Sequence, residues 1–318
     1  TPCGTLFPYT TLFRSGIRGS KTDSADGELI AGLLREADLR ISAVPDEEVR
    51  DLRNLCRLRF EASKMVRSEK QRIRGLLDQA FPEYADHFHD LLGAASRALL
   101  AEYPTASDLA KADVRRLTSI LEKKSRGRMG RQKAEKLKKE AKKSFCLNGA
   151  LEALGLEIQV VLQRVNLLVD QIKMLDRKIK NFVPEEQELL KTIPGVKNVW
   201  APTILGEAKP FFHPERKNGA RTLVAAAGLD VSESQSGQKN GAAKMSKRGS
   251  KYLRTAVMQA AEVAALTAKD PKFNGVYRKQ IEKGKPHKVA LSHVANKLLH
   301  VVFSVLKNRR PYQVMAAQ

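Results

Sequence analysis

LNGALEALGLEIQVVLQRVNLLVDQIKMLDRKIKNF, residues 147–182, carries the most regular pattern in this 318-residue chain. Leu147, Leu151, Leu154, Ile158, Val161, Val165, Leu168, Ile172, Leu175, Ile179 and Phe182 follow one another in alternating steps of four and three. That spacing is the repeat of a helix whose apolar seam faces a partner, sustained for about five heptads. At the helical rise it predicts a rod of roughly 50 Å. Gly149 and Gly155 weaken its start, because glycine is a poor helix former. Two partners fit the seam equally: a helix over 46–80 folded back against it, or a second copy of the chain. Either way the pattern predicts a mainly α-helical protein.

Upstream, Pro45 followed by Asp46, Glu47 and Glu48 is a helix-start signal, since proline and acids favour a first turn. Val49, Leu52, Cys56, Val66, Ile73 and Leu77 then mark one moderately apolar seam over 46–80. Shorter helices are expected around 86–102 and 107–124. In KTDSADGELIAGLLREADLR, residues 21–40, Leu29, Ile30, Leu33, Leu34 and Ala37 recur at helical spacing behind Asp23. A helix over 24–36 is expected there. Asp23 and Asp26 lie three apart on one face. They either cap this helix or hold a cation such as Mg²⁺ between them.

Residues 123–143, KKSRGRMGRQKAEKLKKEAKK, hold eleven Lys or Arg against two Glu. They form either a solvated face or a phosphate-contacting segment through Arg126, Arg128 and Arg131. Downstream, Pro184 ends the rod, and the Gly- and Ala-rich texture of 185–310 puts a domain boundary near 184. ELLKTIPGVKNVWAPTILGEA, residues 188–208, reads as helix, Pro-Gly-Val turn, helix. Such a helix-hairpin-helix offers backbone N–H groups to a phosphate, with Lys197 adding charge; the plainer alternative is a corner with no ligand. GLDVSESQSGQKNGAAKMSKRGSKYLRTA, residues 228–256, alternates Ser232, Ser234 and Ser236 ahead of Lys239, Lys244, Lys247, Arg248, Lys251 and Arg254. It is either a polar linker or a serine nucleophile beside cations that stabilise a pentacovalent phosphate. His293 and His300 share one face of a helix expected over 287–307 but stand too far apart to chelate together. No metal is assigned to them or to His87 and His89.

Lys plus Arg number 57 against 35 Asp plus Glu, a net charge of +22, which implies a polyanionic partner. No run of eighteen apolar residues predicts a membrane span. The basic segment also lacks the interleaved Trp or Phe of a membrane-surface helix. Cys3, Cys56 and Cys146 are scattered, with no CxxC, which excludes a zinc ribbon or disulfide scaffold and fits a reducing compartment.

Together these segments resemble the DEDD transposases of the insertion sequence 110 family. KTDSADGELIAGLLR is similar to the Lys-Thr-Asp-x-x-Asp-Ala signature that closes their RNase H-like (RuvC-like) α/β domain. IPGVKNVWAPTILGEA and then LVAAAGLDVSESQSGQKNGAAKMSKRGSKYLRTAVMQAA are similar to their C-terminal transposase domain, and a long coiled-coil region lies between. The resemblance runs from residue 17 to about 310. It implies a remnant last helix of the RNase H-like domain over 17–42, a coiled-coil region over 43–184, a serine-bearing helical domain over 185–310 and a tail over 311–318. It further implies four carboxylates binding Mg²⁺, of which Asp23 and Asp26 match the last two. Ser236, before Gly237, is the implied nucleophile for a DNA phosphate, with Ser234 the fallback. The implied partners are DNA, a guide RNA from the element's ends and a second copy through the coiled coil, with no membrane. The implied location is the bacterial or archaeal cytoplasm, at the nucleoid.

The sequence departs from the family in two places. Gly27 stands where the family has Ala, and nothing before Lys21 is Asp or Glu. TLFPYTTLFRS, residues 5–15, is the in-frame translation of a common sequencing adapter, so 1–16 is expected to be non-native. With two metal ligands then absent, the chain is expected to be inactive alone. The alternative to a recombinase is a non-enzymatic nucleic-acid binder with a helix-hairpin-helix and a dimerising arm.

Overall fold

The computed structural model describes residues 46–145, 151–182, 185–215, 217–232, 235–236, 239–240 and 244–313, with residues 27, 31, 32 and 35. By its internal contacts the chain divides into units of residues 1–44 and 45–318. In the first, Gly27, Ala31, Gly32 and Arg35 are helical, as the spacing in 24–36 predicts.

The second unit is built on two long helices, α1 (Glu47–Ala80) and α6 (Leu151–Asn181). Between them lie α2 (Ala94–Glu102), α3 (Ala106–Lys111), α4 (Val114–Ser125) and α5 (Arg131–Ala141). The seam of α6 packs on α1, so the folded-back helix is its partner within this chain. Ile158, Val161, Val165, Leu175 and Ile179 are buried along it. Ion pairs bridge Arg59 to Asp176 at 2.5 Å, Glu69 to Arg164 at 3.3 Å and Arg72 to Glu157 at 2.6 Å. Numbers rise along α1 as they fall along α6, so the pair is antiparallel. Exposed pairs of this kind are worth about 0–1 kcal/mol each, so the buried seam carries the stability.

The two shorter helices expected upstream are corrected. Residues 82–87 form a 3₁₀ turn and α2 starts only at Ala94. The helix expected over 107–124 is two helices. Thr105 and Asp108 make a reciprocal capping box on α3, and Asp113 accepts from the Arg115 N–H to start α4. A second cap eight residues after the first restarts the chain in a new direction. The basic run is not one segment either. α4 ends at Arg126, in the left-handed region, and α5 is anchored by buried Ala134, Leu137 and Ala141 with most of its cations facing solvent.

Beyond α6 come α7 (Glu185–Lys191), α8 (Trp200–Ala208) and α9 (Gly219–Ala226). Two nested antiparallel ladders follow, formed by β1 (Val231–Ser232), β2 (Gln235–Ser236), β3 (Lys239–Asn240) and β4 (Lys244–Met245). The chain closes with α10 (Lys251–Glu262), a π-helical turn at Val263–Thr267, α11 (Pro271–Glu282) and α12 (His287–Asn308). α12 is long and apolar enough to cross a membrane by length and composition. Its Val294, Leu298, Leu299 and Val302 are buried, so it serves as the central helix of the C-terminal core. That core also takes in Leu52, Cys56 and Ile179 from the long helices. One core, around Ile73, Leu99, Leu121 and Ile158, thus fills the far end of the α1–α6 pair, and the other fills the near end.

Cys56 sits in the near core, 3% exposed. Burial pushes its thiol up to about 11, against a smaller opposing hydrogen bond with Thr203. The folded value lies above the unfolded one, so the stability this gives is full below about pH 9 and is lost as pH rises towards 11. With Cys3 and Cys146 replaced by Ser, alkylation at pH 8 is expected to run at least about a hundredfold slower than for a free thiol. A rate within threefold of glutathione would overturn this.

Candidate functional site

The segment that joins α9 to α10 is closed at its neck by backbone bonds. Lys247 N–H donates to Gly228 O at 3.0 Å, Ser246 N–H to Asp230 O at 2.9 Å and Ser250 N–H to Ala226 O at 2.7 Å. Inside that neck, β1 pairs with β4 and β2 with β3. Ser236 stands opposite Lys239, and Ser232 opposite Lys244. Ser232 and Ser236 therefore lie on nested antiparallel ladders, where the composition reads as either linker or nucleophile loop. Ser234, Asp23 and Asp26 lie outside the described residues.

The predicted cations divide into two groups. Arg254 donates to Ala227 O at 2.8 Å and Lys247 O at 3.4 Å, so its guanidinium ties the neck together. Lys251 is paired with Glu61 at 2.7 Å and raised above its usual range by that bond. Lys247 and Arg248 are exposed on the neck and join none of the ion pairs found among the described residues. Lys197 is exposed beside the Pro194-Gly195 turn. Lys239 and Lys244 are described only as strand residues. In the other basic region, Arg128 donates to Ser125 O at 3.1 Å, Arg131 pairs with Glu135 at 2.7 Å, and Arg126 adopts φ 59° at the end of α4.

The turn at Gly195 has a packing role. Gly195 has φ +82°, and a Cβ there would lie 2.1 Å from the Ala260 carbonyl. Glycine is needed both for the backbone and for the close approach of α10.

One cluster had no local sequence signal. Glu207, on α8, is fully buried. Arg57 grips it with Nε at 2.5 Å and a terminal nitrogen at 2.9 Å, and Arg53 Nε lies 3.4 Å away. Ser250 Oγ donates to the same carboxylate at 2.8 Å. Ser250 also accepts from the Leu253 N–H as the cap of α10. The hydrogen bond to Glu207 raises the Arg57 pKa. α1, α8 and the end of the serine loop are thereby tied to a single carboxylate. A lone acid in the apolar segment WAPTILGEA was the only hint, because its partners lie 150 and 43 residues away.

Among the described residues no three His, Cys, Asp or Glu side chains come together as metal ligands.

Comparison with known proteins adds the following. A profile described as "Transposase IS116/IS110/IS902 family" matches residues 187–278, which include the whole serine loop. A profile described as "Transposase", for the DEDD group of IS110, matches residues 8–82. An insertion element IS110 uncharacterized 43.6 kDa protein of Streptomyces coelicolor is 24% identical over 302 residues, covering 92% of this chain and 72% of that protein. A pilin gene-inverting protein of Moraxella lacunata is 29% identical over 155 residues, 45% of each chain.

Proposed function

This chain belongs to the IS110 family of transposases, and from that premise we propose that it carries the nucleophile half of a DNA recombination site, with Ser236 as the attacking residue. The observation that supports this reading most is the neck: a polar, serine-rich segment is tied at its base by backbone bonds and flanked by the exposed cations Lys247 and Arg248. In the reaction, Ser236 Oγ forms a bond to a DNA phosphorus as the bond from phosphorus to a deoxyribose oxygen breaks. The hydroxyl proton leaves to solvent and the departing oxygen takes one up. The phosphoserine ester keeps the bond energy, and attack by the hydroxyl of a second strand reverses the step. The cations offset charge on the pentacovalent phosphate. Asp23 and Asp26 are the chain's candidates for Mg²⁺, an ion that would stabilise that same charge when bound. Guidance by an RNA and pairing of two copies belong to the same proposal. The net charge of +22 favours the first. Exposed Leu156, Val160, Leu167 and Met174 on α6 offer an apolar stripe for the second.

The test is trapping. A version extended at its N-terminus with sequence from the Streptomyces relative is mixed with element-end DNA and a matching RNA. A covalent protein–DNA adduct is expected, lost in Ser236→Ala and kept in Ser234→Ala. The Ser236→Ala protein keeps its DNA affinity, which falls steeply with salt as counterions compete. An adduct that survives Ser236→Ala would sink the assignment.

A further inference from the structure

A cavity of about 380 Å³ opens between α1, α8 and α10, away from the neck contacts described above. We propose that it holds one unpaired nucleobase of a bound strand, stacked on Trp200. This rests on the reading that the chain binds nucleic acid, and it names where a base leaves the stack.

The lining carries the argument. Phe60 and Trp200 supply aromatic wall and Cys56 an apolar floor. The Gln259 side chain offers a donor and an acceptor, and the Thr255 hydroxyl, whose proton goes to Lys251 O, offers an acceptor, as a base edge requires. Arg59 and Arg67 stand at the same opening. Arg59 is held by Asp176, while Arg67 is exposed and joins none of the ion pairs found among the described residues. An apolar slot with an aromatic face and an exposed guanidinium at its mouth matches a base with its attached phosphate. The volume is at the low end for small-ligand pockets, enough for one nucleotide and too small for a duplex. No lining residue is Asp or Glu, and the carboxylate at the opening, Asp176, is paired with Arg59. Trp200 is only partly buried against the C-terminal core, which leaves ring surface free.

Trp200 is the sole tryptophan, so its fluorescence reports on this cavity alone. The full chain is titrated with a short single-stranded DNA, the same sequence as RNA, the matching blunt duplex, and heparin as a polyanion without bases. Fluorescence anisotropy of labelled strands follows binding in parallel. Saturable quenching by single strands, with little change from duplex or heparin, is expected. The tighter of the DNA and RNA arms identifies the source of the base. Arg67→Gln, an exposed change that keeps the reporter, is expected to weaken quenching about fivefold. Trp200→Ala, followed by anisotropy, is expected to weaken binding by about fivefold or more. Strands that bind by anisotropy yet leave Trp200 unquenched overturn the cavity and leave nucleic-acid binding standing. Equal quenching by heparin or duplex also overturns it, and absence of any binding overturns both readings.

Discussion

Glu207→Ala is expected to destabilise the 45–318 unit by about 3–5 kcal/mol, the usual result of removing one partner of a buried ion pair. The carboxylate is 0% exposed, so deleting it leaves Arg57 without its bidentate partner inside the fold. Arg57 keeps one-third of its side chain in contact with water, which places the loss at the lower end, near 3 kcal/mol. At about 2–4 °C per kcal/mol in a unit of this size, the melting temperature falls by roughly 10 °C. Ser250 loses its acceptor at the same time, so the start of α10 loosens along with the contact to α1. Glu207→Gln keeps one acceptor oxygen for Arg57 but sets an NH2 donor where the second carboxylate oxygen accepts, so it is expected to cost less than Glu207→Ala without being neutral. Replacing Arg57 and Glu207 together by Met is expected to be milder than Glu207→Ala, because only Arg53, which reaches solvent, then loses its partner. Thermal denaturation followed by far-ultraviolet circular dichroism decides it. A shift for Glu207→Ala no larger than that of Arg131→Ala, which breaks only an exposed pair, would show the cluster to be incidental.

The α6 seam was legible because its signal is local and repeated. Every described position of the repeat is buried or half-buried, and most positions between are exposed. Its partner was not legible, because periodicity is the same for a folded-back helix and a second chain. The break at Asp113 was missed for the opposite reason. Helical spacing continues across it, and a single capping side chain decides the boundary. The serine loop was read from composition as a choice between linker and nucleophile segment. What composition lacks is the register that sets Ser236 against Lys239 and the glycine contacts that close the neck. Lys251 and Arg254 looked like phosphate ligands in a run of cations. Their partners, Glu61 and the Ala227 carbonyl, are 190 and 27 residues away and invisible to a linear reading. Asp23 and Asp26 fall outside the described residues, so the carboxylate half of the site rests on resemblance.

Gly249→Ala is expected to abolish phosphoserine formation in the N-terminally extended protein while leaving nucleic-acid affinity within about threefold, because most of the 57 Lys and Arg residues lie outside the neck. A Cβ at 249 would fall 2.2 Å from Ala226 O and 2.4 Å from Gly228 N. Those are backbone atoms, and they cannot swing aside as the end of a side chain can. Gly228 faces the same contact from the other strand of the neck, with φ +63° and a Cβ position 2.6 Å from Gly249 N. Overpacking costs about 1–3 kcal/mol, and at Gly228 the left-handed backbone adds about 1–2 kcal/mol for any L side chain. The cheapest relief is to part the neck, giving up the Ser250-to-Ala226 and Lys247-to-Gly228 bonds rather than disturbing the packed core. That moves the hairpin bearing Ser236. A displacement of about 1 Å at a reacting atom costs on the order of a hundredfold in rate. Activity is therefore expected to fall much further than stability. Gly75→Ala is the matched control. Nothing lies within 4 Å of a Cβ there, and the residue is on the exposed face of α1. It is expected to raise stability by about 0.5–1 kcal/mol and leave activity unchanged. Melting temperature, anisotropy and adduct yield measured on the same three proteins separate the two outcomes. If Gly249→Ala forms adduct at the parental rate, the neck does not position the nucleophile, and the assignment of Ser236 loses its structural support.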